Sequence, residues 1–106
     1  MFYSVKGKLT HSEMGFVVVE CGGVGFKCLT SLSTQRNLPP LGETVTLYTH
    51  LNVWEDALDL FGFATQSELN CFKMLTGVSG VGPKVGLAIL SELSPERVAM
   101  AVASGD

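Results

Sequence analysis

The most constraining feature of this sequence is a glycine-rich stretch between two apolar segments, Gly77-Val-Ser-Gly-Val-Gly-Pro-Lys84. Glycine adopts positive φ angles and allows close backbone approach, and proline is preferred at the first position of a helix. The stretch therefore predicts a helix, a tight turn and a second helix that begins at Pro83. The N–H groups around Gly80, Val81 and Gly82 would then point out of the positive end of the second helix and could bind an anion, with the charge of Lys84 beside them.

Two common nucleotide-binding motifs do not fit this spacing. A P-loop requires a lysine directly after its last glycine and then a serine or threonine, but Pro83 holds the lysine position and no hydroxyl follows Lys84. A dinucleotide-binding fingerprint requires a third glycine where Val85 stands, and it must follow a strand. Both motifs are therefore excluded.

The segment Val78–Gly82 instead resembles the hairpin of the helix-hairpin-helix motif. In that family the hairpin holds a DNA phosphate through backbone amides. A simple helix–helix corner, in which the glycines serve only close packing, remains the alternative. The resemblance implies a DNA-backbone site made of Ser79, Gly80, Val81, Gly82 and Lys84.

Residues 1–63 show the two-residue alternation that is typical of short β-strands. Gly22-Gly23, Trp54–Ala57 and residues 11–15 predict turns, and Ser31–Leu38 predicts a short helical crossover. Five or six strands with one helix after the third are typical of a small closed barrel of the OB type. The predicted strands are Phe2–Leu9, Phe16–Cys21, Val24–Thr30, Glu43–Val53 and Leu58–Phe63.

The periodicity becomes helical after residue 63. Thr65 and Glu68 form a capping-box pattern at the start of a first helix, and Ser94-Pro95 starts a third. We therefore predict a multi-domain chain, with an OB-like β-barrel in residues 1–63 and an all-α helix-hairpin-helix domain in residues 64–106. Because the last helix ends without a partner hairpin, we expect the helical domain to be truncated.

Composition limits the possible functions. A net charge of −3 argues against a general basic coat for nucleic acid, so any DNA contact must be local. Only 16% of the residues are charged and 46% are hydrophobic, which favours oligomerisation. Three cysteines without metal-ligand spacing predict free, buried thiols in a reducing cytosol. No apolar run is typical of a signal peptide or a membrane span, so we expect a cytoplasmic location.

Five short motifs occur along the chain, namely Gly22–Phe26, Thr49-His50, Glu55–Ala57, Leu60–Phe63 and Gly80–Lys84. In their order and spacing they resemble the RuvA family, the Holliday-junction-binding subunits of the bacterial branch-migration machine. That family has an OB-like barrel, a helical domain with two helix-hairpin-helix motifs, and a C-terminal domain that binds the RuvB ATPase. This sequence resembles the barrel and the first half of the helical domain.

The resemblance implies a non-catalytic subunit, with no cofactor and no metal, that acts in recombination, DNA repair and the SOS response. It implies a homotetramer that holds four-way junction DNA by its shape, with one tetramer or two on each junction. ATP hydrolysis belongs to the partner RuvB, whose binding domain this sequence lacks. The resemblance also implies an acidic pin, Glu55 and Asp56, that repels phosphates at the centre of the junction.

Three other functions stay open at this point. A metal-dependent nuclease would use Glu55, Asp56 and Asp59, but this cluster is short and lacks a nearby histidine, since His11 and His50 lie far apart in the sequence. An assembly module with a vestigial hairpin would form oligomers without binding DNA. A single-strand DNA binder would stack bases on exposed barrel aromatics in a basic groove, but the chain has only seven Lys and Arg residues. The available aromatics are Phe16, Phe26, Tyr48 and Trp54.

Overall fold

The computed structural model describes residues 2–103, and of residues 99, 102 and 103 it describes only the backbone. Five strands form the first part of the described chain, and three helices follow them. The strands are β1 (Ser4–Glu13), β2 (Phe16–Cys21), β3 (Val24–Leu29), β4 (Thr44–Val53) and β5 (Leu58–Phe63). The helices are α1 (Leu32–Arg36), between β3 and β4, and then α2 (Gln66–Thr76), α3 (Pro83–Glu92) and α4 (Pro95–Ala103).

The five strands close into a barrel in the order β1-β2-β3-β5-β4. Neighbouring strands are antiparallel except β3 and β5, which run parallel and meet at the register pair of Leu29 and Phe61. β4 closes the barrel by pairing with β1, from the register pair of Lys8 and Thr44 to that of Ser4 and Tyr48. This confirms the predicted OB-like barrel with a helix after its third strand.

The first strand is longer than the sequence predicts. The register of β1 against β2 shifts between Leu9 and His11, so Thr10 forms a bulge and pairing resumes as far as Glu13. The turn is therefore only Met14-Gly15, with Gly15 at a φ of 95°. The predicted turn over residues 11–15 was wrong for its first three residues, because the bulge at Thr10 interrupts the two-residue alternation from which the strand was predicted.

The barrel interior is apolar, and β5 contributes to two different cores. Leu60 packs against the barrel core, and a Cβ at Gly62 would lie 3.2 Å from atoms of Cys28 and Leu47. Phe61 and Phe63 point the other way, out of the barrel and into the core formed with the helices. The buried barrel core consists of Val5, Leu9, Val17, Val19, Cys28, Val45 and Leu47.

Phe72 of α2 lies at the centre of the second core. Its ring centroid is 5.0 Å from those of both Phe61 and Phe63, so α2 seals the outer face of β5. A Cβ at Gly86 of α3 would lie 3.4 Å from the Phe72 ring and 3.3 Å from Thr76, so the glycine lets α3 approach α2 closely. The core is completed by Leu69, Cys71, Leu75, Leu90 and Val98.

The capping box at the start of α2 is only half formed. The Thr65 hydroxyl accepts a hydrogen bond from the Glu68 N–H at 3.1 Å, as predicted. The Glu68 carboxylate does not return to the Thr65 N–H; it turns inward and accepts hydrogen bonds from Ser31 and Thr34. The second half of the predicted box was therefore wrong, because a buried pair of hydroxyls competes for the same carboxylate.

The helices lie where the sequence predicts them, with α2 beginning three residues after the end of β5. The division into domains 1–63 and 64–106 stays a prediction, since the second core joins β5 to the helices. Residues 104–106 of the predicted second domain lie outside the described residues. Of the helices described, none combines the length and the apolar character required to cross a membrane.

Candidate nucleic-acid interface

The turn between α2 and α3 depends on one glycine with a positive φ. Gly77 is the C-cap of α2, and its N–H donates to the Lys73 carbonyl at 3.1 Å. The Val81 N–H then donates to the Val78 carbonyl at 3.1 Å and closes a tight turn, with Gly80 inside it at a φ of 87°. A side chain at Gly80 would be strained in this conformation. The Val81 side chain packs against the second core and anchors the turn.

The start of α3 presents backbone N–H groups without acceptors. Gly82 is the N-cap and Pro83 the first helical residue, and no side chain caps this end. The first helical hydrogen bond runs from the Gly86 N–H to the Gly82 carbonyl at 2.9 Å. The N–H groups of Gly82, Lys84 and Val85, here called the amide edge, have no hydrogen-bond acceptor within the described chain. The Val81 N–H does not belong to this edge, because the turn uses it.

The fold itself does not require glycine at position 82. Its φ is not positive, and a Cβ built there would meet no heavy atom within 4 Å. At position 80 the positive φ favours glycine, and at position 86 the close neighbours favour it. Gly82 differs from both because neither reason applies to it. Open space beside unpaired amides is what the close approach of an anion needs.

Lys84 and Ser79 are both exposed beside the amide edge. Among the described residues, Lys84 makes no ion pair; the ion pair that the structure shows joins His11 to Glu13 at 2.5 Å. The Lys84 ammonium is therefore available to a ligand bound at the start of α3. Together these groups form a small positive site on a chain of net charge −3.

The acidic loop, Trp54–Ala57, joins β4 to β5 and is held at its base. The Trp54 N–H donates to the Ala57 carbonyl at 2.8 Å, and the indole Nε1–H donates to the Asp59 carboxylate at 2.7 Å. Glu55 and Asp56 lie at the tip of the loop and are exposed to solvent. Two carboxylates thus project from a braced loop, while the third one predicted nearby, Asp59, is engaged by the indole.

One apolar groove of about 690 Å³ connects the acidic loop to the start of α3. Trp54 and Asp59 line one side of it, and the segment Gly82–Val85 lines another. The groove thus contains Gly82 and Lys84 of the predicted hairpin together with Trp54 and Asp59, which brace the acidic loop. The tip acids Glu55 and Asp56 do not line it. Met14, which is 88% exposed at the tip of the β1–β2 turn, lines it as well. Sequence reasoning missed Met14, since a single exposed methionine in a turn carries no signal.

The predicted metal alternative has no support in the described residues, which contain no group of three His, Cys, Asp or Glu side chains able to hold a metal ion. His11 pairs with Glu13 in β1 instead of lying in a turn. His50 lies in β4, where it shares a hydrogen bond of 3.0 Å with Asn52 and contacts the edge of Phe72. The two histidines thus occupy different surroundings.

The four barrel aromatics do not form one stacking surface. Phe16 lies under the Lys27 ammonium at 4.5 Å, and Phe26 packs against the barrel core. Tyr48 is half-buried and meets Tyr3 edge-on, with ring centroids 6.2 Å apart. Of the four side chains, only Trp54 is exposed, and the other three are half-buried. This separation counts against a single-strand binder that stacks successive bases.

All three cysteines are free, as predicted, but only two are buried. Burial raises the pKa of the Cys28 thiol to about 12, with a smaller contribution from Cys21. Burial also raises the pKa of Cys71, with further contributions from the charges of Glu68 and Glu96. Cys21 is half-buried, and its thiol donates to the Lys6 carbonyl at 3.0 Å.

The fold and the groove define an OB-like barrel protein that carries three appended helices and an unpaired amide edge. The family described as RuvA N terminal domain matches residues 1–62, more than half of the chain. The chain belongs to this family.

Curated relatives extend the similarity over the helices. The Holliday junction branch migration complex subunit RuvA of Acetivibrio thermocellus is 45% identical over 106 residues, which is 100% of this chain and 52% of that protein. The proteins of the same name from Symbiobacterium thermophilum and Dehalococcoides mccartyi are 46% and 45% identical over 106 residues, with 52% and 55% of their lengths covered. The chain thus spans about half the length of the curated relatives it matches.

Proposed function

We propose that this chain binds four-way DNA junctions by their shape, as the non-catalytic subunit of a branch-migration complex. The names of its relatives, which place them in a Holliday junction branch migration complex, support this function. The observation that carries the proposal is the amide edge at the start of α3. There, neither backbone conformation nor packing accounts for the glycine at position 82.

In this proposal α2, the glycine turn and α3 act as a helix-hairpin-helix motif. A phosphate oxygen accepts hydrogen bonds from the N–H groups of Gly82 and its neighbours, and the Lys84 ammonium adds a charge-assisted contact. The space beside Gly82 lets the DNA backbone come close enough for these bonds. Because such contacts reach phosphates and not base edges, recognition is of shape and not of sequence.

The acidic loop acts as the pin at the centre of the junction. Glu55 and Asp56 repel phosphates where the strands cross, so the strands separate and follow different arms. The hydrogen bond between Trp54 and Asp59 holds the loop upright during this contact. The groove supports this arrangement, because Trp54 and Asp59, which hold the acidic loop, line it together with Gly82 and Lys84. The pin and the amide edge would then lie near the same DNA molecule.

The chain acts as a cytoplasmic homotetramer, with one tetramer or two on each junction. Exposed apolar side chains on the barrel support an assembly that would cover them. They include Val24, Leu41, Val53 and Leu58.

In the whole protein the partner is the RuvB ATPase, which contacts a segment beyond this chain and supplies ATP hydrolysis for recombination, repair and the SOS response.

A competition gel shift at fixed salt tests the proposal, with a four-way junction against a linear duplex of the same sequence. We expect a clear preference of the parent chain for the junction. Gly82→Ala places a methyl group where the phosphate would lie, so we expect at least a tenfold loss of junction affinity, about 1.4 kcal/mol. Lys84→Gln should weaken binding and reduce the slope of log K against log salt by roughly 0.9.

Lys6→Gln is the matched control, because it removes one exposed lysine from β1, away from the groove. It should leave both the junction preference and the salt slope nearly unchanged. Equal affinity of the parent for junction and duplex would refute recognition by shape. A tetramer with no DNA affinity would identify the chain as an assembly module only.

A further inference from the structure

The barrel and the helices are joined by a buried carboxylate that the proposed DNA contacts do not use. Glu68, in the first turn of α2, is 6% exposed. Its carboxylate accepts a hydrogen bond from Ser31 Oγ at 2.6 Å and another from Thr34 Oγ1. Ser31 and Thr34 are the N-cap and an early residue of α1 and are themselves buried. The carboxylate thus lies in the first turn of α2 and beside the N-cap of α1.

The geometry of this network requires an acceptor at position 68. Ser31 Oγ also accepts the Thr34 N–H at 3.0 Å, and Thr34 Oγ1 also accepts the Ala64 N–H at 3.2 Å. Since each hydroxyl already accepts a backbone N–H, its own hydrogen is directed to the carboxylate. An amide side chain would offer an NH₂ donor to one of these hydroxyls, and that hydroxyl's own hydrogen would then lose its acceptor inside the buried network.

α1 is bound to α3 by a second set of hydrogen bonds. The Leu32 N–H donates to Ser91 Oγ at 3.0 Å, and Ser33 Oγ donates to the Leu90 carbonyl at 2.7 Å. On its other side, the Gln35 side chain accepts from the Gly15 N–H at 3.1 Å and thereby holds the β1–β2 turn. α1 therefore contacts both walls of the groove, the turn at Gly15 and helix α3.

From this network we propose that Glu68 is a positioning residue, which fixes the orientation of α2 and α3 relative to the barrel through α1. Apolar packing between Phe72 and β5 holds the two parts together, but it is not directional. The hydrogen bonds of Glu68 are directional, so they select one orientation among those that packing allows. In that orientation the amide edge and the acidic loop face the same groove. The inference rests on the proposed function for its DNA readout only.

Residual dipolar couplings of backbone N–H groups test the orientation directly. In the parent chain, couplings from the barrel strands and from α2 and α3 should fit one alignment tensor. In Glu68→Gln the barrel couplings should still fit their own tensor, while those of α2 and α3 should no longer fit it. Glu92→Gln, which removes one exposed acid from α3, is the charge-matched control and should keep a single tensor.

The junction gel shift supplies the functional readout. We expect Glu68→Gln to lower the ratio of junction affinity to duplex affinity at least fivefold, while contacts of the amide edge with linear duplex change little. Thr34→Val removes one hydroxyl at nearly constant shape and should act in the same direction, and Thr34→Ser should restore the parent behaviour. If Glu68→Gln does not fold, the comparison of Thr34→Val with Thr34→Ser provides the same test.

The outcomes separate the two proposals. A single tensor in both Glu68→Gln and Thr34→Val would overturn the positioning role, whatever the DNA binding shows. Two tensors in the variants, with no junction preference in the parent, would leave the positioning role standing and remove the proposed function. Two tensors with an unchanged junction preference would show that the orientation does not serve the junction and would overturn the inference in its stated form.

Discussion

At the scale of single residues, three glycines around the helical turn have three different physical origins. Gly80 is fixed by its positive φ and Gly86 by the nearness of α2. Gly82 has neither constraint, and this contrast supports the proposed phosphate contact at this position. A sequence pattern alone cannot separate these origins, because all three residues appear there as the same letter.

Cys28 makes the stability of the chain depend on pH above neutrality. Its thiol is buried, and its pKa is raised from 9.0 to about 12. Between these values the unfolded chain loses the proton and the folded chain keeps it, so stability is retained below pH 9 and falls as the pH rises towards 12. We expect a slope of about 1.4 kcal/mol per pH unit from this one group. Urea unfolding between pH 8.5 and about 10.5 measures it.

The contribution of Cys28 is isolated by comparing variants. Cys28→Ala should unfold more easily at neutral pH, because it leaves a small cavity, but its stability should fall less steeply above pH 9. Cys21→Ala is the control, since this half-buried thiol lies on the same barrel. It should keep the steep dependence of the parent. Equal slopes in all three proteins would contradict a protonated Cys28 in the folded state.

At the scale of elements, the acidic loop joins two paired strands, and the fold does not depend on the charges at its tip. β4 and β5 stay paired up to Val53 and Leu58, so the loop is short and its two tip acids project beyond the barrel. Neither Glu55 nor Asp56 belongs to an ion pair of the described chain. Their charges can therefore be removed without affecting the core.

Removing the two tip charges should change how junctions are held. We expect Glu55→Gln/Asp56→Asn to bind four-way junctions more tightly, about two- to tenfold at low salt, because repulsion of phosphates is lost. The open form of the junction should become less populated. Gel shift measures the first effect, and energy transfer between dyes on the junction arms measures the second.

The double variant Glu20→Gln/Glu43→Gln separates position from net charge. Both acids are exposed on the barrel, and their loss changes the total charge by the same amount as the loss of the tip acids. If this variant altered affinity and junction opening to the same extent, the effect would come from net charge alone and the pin would be refuted.

Most elements could be predicted from the sequence, because alternation and helical periodicity follow directly from burial on one face. The barrel strands, α1 and the start of α3 at Pro83 are examples. The bulge at Thr10 and the inward turn of Glu68 could not be predicted. The bulge depends on how β1 pairs with β2, and the Glu68 hydrogen bonds depend on Ser31 and Thr34, which lie 37 and 34 residues away. Local periodicity reports neither of these pairings. For the same reason the two site segments were predicted separately, while the groove between them was not.

At the scale of the whole molecule, the barrel and the helices share a core and should unfold together. Phe72 contacts Phe61 and Phe63 of the barrel and lies against Gly86 of α3. Phe72→Ala should therefore destabilise the chain by about 3–5 kcal/mol, a large part of the total for a domain of this size. Met74→Ala, at an exposed position of the same helix, should cost much less.

Two optical probes measure this coupling. Trp54 is the single tryptophan and reports on the barrel, while circular dichroism at helical wavelengths reports on α2, α3 and α4. The two urea transitions should coincide in the parent chain and shift together in Phe72→Ala. Separate transitions in the parent would mean that the helices fold independently of the barrel.

The outward phenylalanines of β5 also have a consequence for synthesis on the ribosome. Translation completes the last barrel strand at Phe63, but Phe61 and Phe63 remain uncovered until α2 has emerged and folded onto them. During that interval the nascent chain presents a pair of aromatic rings to the cell, a surface that chaperones bind and that promotes aggregation. A pause in translation soon after Phe63 would prolong this exposure, so the speed of decoding through α2 bears directly on the yield of folded protein.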